Sequence, residues 1–127
     1  MATPQLIKQV TGVGGLPRLR TATGAYARVM SEDVAGTVGK YMEQVVKAGT
    51  AKKAAIKGYT VCGKTGSAET SDDKSVPTDA WFVGYVDDPG HPYAIAVVVE
   101  KSGAGGDVAA PLAAKALKKA ISRNIAG

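Results

Sequence analysis

The chain is poor in the residues that most often carry chemistry: one cysteine, one histidine, one tryptophan and one phenylalanine in 127 residues. A single cysteine, Cys62, excludes an internal disulfide and does not by itself locate the protein. It reads as a small buried hydrophobe rather than a nucleophile. The lone His91 has no second histidine with which to share a metal, and between Gly90 and Pro92 it is most simply a turn residue. No metal or cofactor is expected. Aromatics make up only 6% of the chain, and its net charge of +5 is spread between helix ends and turns. A nucleic-acid surface would cluster those charges on one face beside stacking rings, so no nucleic-acid partner is expected. The longest apolar run, Tyr93 to Val99, is far too short to cross a bilayer. Met1-Ala2-Thr3-Pro4 does not open a signal-peptide pattern, so the sequence predicts neither a leader nor a transmembrane segment in this piece.

What is present is the composition of a globular chain, 45% hydrophobic and long enough to bury a core. Gln5 to Val10 reads as a short strand, followed by the turn cluster Gly12 to Pro17 and a hairpin partner at Arg18 to Thr23. Ser31 is a good N-cap, with Glu32 and Asp33 where the helix dipole favours acid. Val34, Val38, Tyr41 and Val45 then repeat at helical spacing, widened by Met42 and Val46, and Gly49 is a plausible stop. Three strand-like segments follow: Tyr59 to Ser67, Ala80 to Asp87 and Tyr93 to Lys101. A polar loop, Thr70 to Asp79, separates the first two, and the turn DDPGHP separates the others. After the glycine-rich break Ser102 to Gly106, Asp107 is a candidate cap for a last helix with Pro111 in its first turn. Leu112, Ala113, Ala116, Leu117, Ala120 and Ile121 form its expected buried stripe, and Lys118, Lys119 and Arg123 load its end.

Sequential strands without crossover helices imply an antiparallel sheet with helices laid against it, an α+β fold. The expected organisation of residues 1–127 is a single piece. It comprises an N-terminal hairpin region (1–30), a helix (31–48), a three-stranded antiparallel sheet (58–101) and a C-terminal helix (107–125).

The segment GYTVCGKTGSAE, Gly58 to Glu69, satisfies two unrelated patterns. Gly58 to Thr65 spells G-x-x-x-x-G-K-[ST], a phosphate-binding loop, which would make the chain a nucleotide binder. That motif requires a helix after it, because a helix N-terminus supplies amides and dipole to the phosphates. GSAETSDDKSVPTD has no helical periodicity, and Tyr59, Thr60, Val61 and Cys62 are strand formers. The match is therefore read as a coincidence. Lys64 to Ser67 spells K-T-G-S. On an extended strand Lys64 points to one face and Thr65 and Ser67 to the other. An ammonium and two hydroxyls around Gly66 suit a carboxylate ligand. An ordinary amphipathic strand with a solvated lysine fits those residues equally well.

VCGKTGSAE, then TDAWFVGY, then YAIAVVVE resembles the C-terminal half of the transpeptidase domain of class B penicillin-binding proteins. SEDVAGTVGKYMEQVVKAGTAKKA is similar to the helix and V-x-x-G-T-A segment before the family's K-T-G strand, and GDVAAPLAAKALKKAI to its closing helix. MATPQLIKQV is similar to the strand that follows the middle of such domains. The resemblance implies a partial penicillin-binding transpeptidase fold, like that of the serine β-lactamases. It also implies an enzyme that cross-links cell-wall peptides on the extracytoplasmic face of a bacterial membrane and is trapped by β-lactams. On that analogy Lys64 and Ser67 are the catalytic candidates. Lys64 supplies charge to the cleft, and the backbone N–H of Ser67 is one of two oxyanion donors. Thr65 and the Ser67 hydroxyl hold the ligand carboxylate, while Gly66 leaves room for the peptide to lie along the strand. Trp81 and Phe82 are read as core and sheet packing rather than contact residues.

The family also uses S-x-x-K, which carries the nucleophile, and S-x-N. Ser71-Asp72-Asp73-Lys74 and Ser122-Arg123-Asn124 spell these patterns, but in a polar loop and at a helix tail. Both follow K-T-G, whereas the family places them before it. The chain is therefore expected to be a fragment, inactive alone, whose partner would be the N-terminal half of the domain. Peptidoglycan stem peptides and β-lactams would be ligands of the complete domain. The Tyr93 to Lys101 strand would have lost a neighbour, and an exposed apolar edge invites self-association. A non-catalytic module that holds a peptide carboxylate is the alternative.

Overall fold

A computed structural model describes residue 7, residues 9–20 and residues 27–123. The chain divides into two compact units, Met1–Ala35 and Gly36–Gly127. In the first, β1 (Gln9–Thr11) and β2 (Pro17–Arg20) form an antiparallel hairpin with a register irregularity between Val10 and Thr11. The Gly12 amide closes the turn on the Leu16 carbonyl at 2.9 Å. Of the expected strands, residues 5, 6, 8 and 21–23 lie outside the described residues.

Helix α1 (Glu32–Lys47) begins after Ser31, whose hydroxyl accepts the Val34 N–H at 3.3 Å. One donor of the first turn is thereby satisfied. The apolar stripe departs from expectation. Only Val46 is buried, while Val34, Val38 and Tyr41 are 50%, 44% and 69% exposed. Periodicity specifies that a helix has an apolar face, not that this chain covers it.

The second unit is built on β3 (Val61–Ala68), β4 (Asp79–Val86) and β5 (Ala94–Val99), paired antiparallel in the order β3-β4-β5. The helix α2 (Ala109–Arg123) packs on β4, β5 and the 3-10 turn Lys52–Ala54. Its buried residues are Ala109, Ala110, Ala113, Ala114 and Leu117. Leu112, 42% exposed, and Ala116 fall outside the stripe expected for them. Steps of three and four from Ala110 run through Ala113, Ala114 and Leu117, so small side chains let the helix approach the sheet closely. Asp107 bonds Lys53 through its carboxylate at 2.8 Å.

Phe82, fully buried, is the largest side chain of the core and lies on the helix-covered face with Ala80 and Thr65. Trp81, read as core or sheet packing, lies in β4 but is 40% exposed. Alternation along β4 decides this: Phe82 faces α2, so its neighbour must face the other way. That open face also carries Val83 and Val98, each 43% exposed. Cys62 is buried, 2% exposed. His91 sits in the β4–β5 turn, its Nδ1 2.9 Å from Asp88 Oδ1 and its ring edge-on to Tyr59. No helix among the described residues is long and apolar enough to cross a membrane.

Candidate functional site

Lys64, Thr65, Gly66 and Ser67 are extended in β3, at one edge of the sheet. No helix follows them; residues 69–78 are irregular, with turns and bends at 72 and 74–76. The phosphate loop would need that helix, and it is absent.

The register fixes which backbone groups face the open edge. Just outside the ladder, Asp87 N–H donates to the Thr60 carbonyl at 2.8 Å. Bonded and non-bonded pairs alternate in an antiparallel ladder. Counting from Thr60, residues Cys62, Lys64, Gly66 and Ala68 turn their amides and carbonyls towards β4. Gly63, Thr65 and Ser67 therefore turn theirs outward. The Thr65 carbonyl agrees with this phase, since it accepts the Lys64 ammonium at 2.5 Å. The edge thus presents the Ser67 N–H, the Ser67 carbonyl and a cation within one turn of side-chain reach. A chain laid antiparallel along β3 finds a donor and an acceptor on one residue.

The side chains divide as alternation requires. Lys64 is exposed on the open face, and a Cβ on Gly66 would stand 3.3 Å from Trp81 Cβ on that face. Thr65 is 9% exposed on the helix-covered face, and its Oγ1 lies 2.6 Å from Thr50 Oγ1. Ser67 is exposed, and its Oγ accepts the Gly105 N–H at 3.3 Å. A Cβ on Gly105 would lie 2.3 Å from the Gly66 carbonyl oxygen and 2.4 Å from that of Trp81. The glycine-rich break is thus a buttress pressed against the back of the strand.

Thr50 and Gly105 are contacts that the sequence did not single out. Thr50 lies in the V-x-x-G-T-A segment and Gly105 in the expected break, but no local pattern pairs either with β3. Within β3, burial pushes the Cys62 thiol up from its ordinary value, and a hydrogen bond from Tyr85 partly offsets this. That is the signature of an inert cysteine.

In the out-of-order S-x-x-K the serine and the lysine are each bonded to other groups. Ser71 Oγ accepts the Asp73 N–H at 3.1 Å in an exposed loop, and Lys74 pairs with Glu69 at 2.6 Å rather than with the serine. Ser122 Oγ donates to the Lys119 carbonyl at 2.9 Å, and Asn124 lies outside the described residues.

Residues 1–118 match the family described as the penicillin binding protein transpeptidase domain, and the chain belongs to that family. It is 31% identical over 127 residues to the peptidoglycan D,D-transpeptidase PbpA of Mycolicibacterium smegmatis, covering 93% of this chain and 25% of that protein. Among solved structures it resembles the D,D-transpeptidase domain of a peptidoglycan glycosyltransferase from Eggerthella lenta. The TM-score there is 0.65 at 30% identity, over 91% of this chain and 26% of the other. Penicillin-binding protein A of M. tuberculosis, solved as a ceftriaxone acyl-enzyme, gives 0.62 at 28% identity, over 97% of this chain and 28% of that one. The chain spans about a quarter of the length of such relatives.

Proposed function

We propose that this chain is the ligand-holding part of a peptidoglycan D,D-transpeptidase. In the complete enzyme a serine on other polypeptide attacks the carbonyl of a D-alanyl-D-alanine peptide and expels the terminal D-alanine. An amine of a second peptide then takes the acyl group and frees the serine, forming the cross-link outside the membrane. The observation that carries this reading is the outward-facing Ser67 N–H on an open strand edge beside Lys64. That amide is one oxyanion donor, preorganised because its strand is buttressed from behind. Lys64 supplies the cation for the ligand's carboxylate and for the proton-transfer network, leaving the Thr65 carbonyl when a ligand arrives. Thr65 and Ser67 add hydroxyl donors to that carboxylate, and the bare Gly66 lets the ligand backbone lie close.

In this reading β5 pairs in the complete domain with strands from the N-terminal half, and β-lactams occupy the β3 edge as mimics of the peptide. The chain alone binds without chemistry, because neither Ser71 nor Ser122 sits against a base. Incubation with a fluorescent penicillin followed by denaturing electrophoresis checks that half of the proposal. No labelled band is expected, and a band that disappears in Ser71→Ala overturns it. Titration with an N-acetylated D-alanyl-D-alanine peptide checks the other half. Weak saturable binding, lost in Lys64→Met, is expected; magnesium-ATP should show none.

A further inference from the structure

Both hydroxyls of the Lys64–Ser67 stretch are met from behind by a group outside the strand. Ser67 Oγ accepts the N–H of Gly105 at 3.3 Å, and Thr65 Oγ1 lies 2.6 Å from the hydroxyl of Thr50. We propose that Thr50 is a positioning residue, which donates its proton to Thr65 and so leaves the Thr65 proton free for a ligand carboxylate. The inference rests on the carboxylate reading above.

A hydroxyl carries one proton and two acceptor sites. At Ser67 the polarity is settled, because a backbone N–H can only donate, and the serine keeps its own proton to give away. The Thr50–Thr65 pair has two protons, and their mutual bond uses one. If Thr65 donates to Thr50, it meets an incoming carboxylate with lone pairs alone. If Thr50 donates, Thr65 meets the carboxylate with a proton, and the chain Thr50 to Thr65 to carboxylate is cooperatively polarised. The anion selects the second arrangement, so both strand hydroxyls then donate in the same sense.

Thr50 is held well enough to do this. It follows α1, where the Ala51 N–H folds back to the Val45 carbonyl at 3.1 Å, and Gly106 is packed so close that a Cβ there would lie 2.3 Å from the Thr50 carbonyl oxygen.

The test compares the wild-type chain with Thr50→Val, nearly isosteric and unable to donate, and Thr50→Ser, which keeps the donor. N-acetyl-D-alanyl-D-alanine and its C-terminal amide are titrated against each. Thr50→Val should weaken the carboxylate up to roughly tenfold, because Thr65 is no longer held and can turn its hydroxyl away, losing its hydrogen bond to a charged group. It should leave the amide unchanged, and Thr50→Ser should restore the wild-type ratio. Equal weakening of both ligands, or none, overturns the proposal.

Ligand-free three-bond couplings to the Thr65 methyl carbon supply a second readout. One rotamer is expected in the wild type and Thr50→Ser, and averaging in Thr50→Val; a single rotamer in Thr50→Val overturns the positioning role. A wild type that binds neither ligand defeats the carboxylate reading, while the couplings still decide whether Thr50 holds Thr65.

Discussion

Gly63 and Gly84 stand directly opposite one another across β3 and β4, and the ring of Phe82 lies over both. A Cβ on Gly63 would be 2.4 Å from that ring, and one on Gly84 2.9 Å. The core's largest buried side chain is thereby pressed flat on the backbone one residue before Lys64. Removing it should cost about 3–5 kcal/mol in Phe82→Ala. Gly63→Ala should cost about 1–3 kcal/mol by overpacking. The two changes should be non-additive in denaturant unfolding, because removing the ring removes the clash. Additive losses would show that the ring and glycine do not compete for one space.

Alkaline pH should act through Tyr85. Burial, and then its hydrogen bond with Cys62, push the phenol from 10.0 up to about 12. A folded-state value above the unfolded one stabilises the fold below pH 10 and loses that stabilisation as pH rises to about 12. Cys62 is shifted in the same direction from 9.0, which extends the onset downward. Stability measured from pH 8 to 12 should fall across that window, and Tyr85→Phe should flatten the upper part of the fall. A wild type that keeps constant stability to pH 12 would contradict this. In the folded chain a thiol reagent should leave Cys62 unmodified.

How far the sequence spoke depended on the range of the interaction. Element types were legible, because period and caps are local: Ser31 announced α1, and strand formers outnumbered small flexible residues before Lys64. The flatness of Lys64–Ser67 followed from the same argument. Coverage was not legible. Val34, Val38 and Tyr41 have the spacing of a buried stripe and are exposed, and Trp81 is 40% exposed on the sheet face away from α2. Whether a face is covered depends on what else is folded against it, which periodicity does not encode. The site's support was also hidden, since Thr50 and Thr65 are fifteen residues apart and Gly105 and Ser67 thirty-eight. Such pairs emerge only once register and loop paths are fixed.

The contact of Lys53 with Asp107, 2.8 Å long, should matter little. Its side chains are 58% and 70% exposed, so water and salt screen the pair. Asp107→Ala should shift stability by less than about 1 kcal/mol, and less still in 1 M salt. A larger loss would indicate that Asp107 holds the start of α2 by another contact.

The two edges of the sheet differ in a way that predicts how the chain meets itself. At β5 the Val86 N–H donates to the Tyr93 carbonyl at 2.9 Å, so by alternation Ala94, Ala96 and Val98 turn their amides and carbonyls outward. Their side chains are exposed, and the six residues from Ala94 to Val99 contain no charge and no proline. Edges that resist pairing use such interruptions. At β3 the Lys64 ammonium already occupies the Thr65 carbonyl. Two copies should therefore associate through β5, antiparallel about a two-fold axis, with Val98 and Trp81 of each extending the apolar face. Sedimentation velocity over a hundredfold concentration range should show a dimer forming. Ala96→Lys should suppress it, since a lysine on that strand places like charges near one another across the axis. Lys64→Met, on the far edge, should leave the β5 dimer intact. A wild type that stays monomeric at several hundred micromolar, or a dimer indifferent to Ala96→Lys, would remove β5 as the contact.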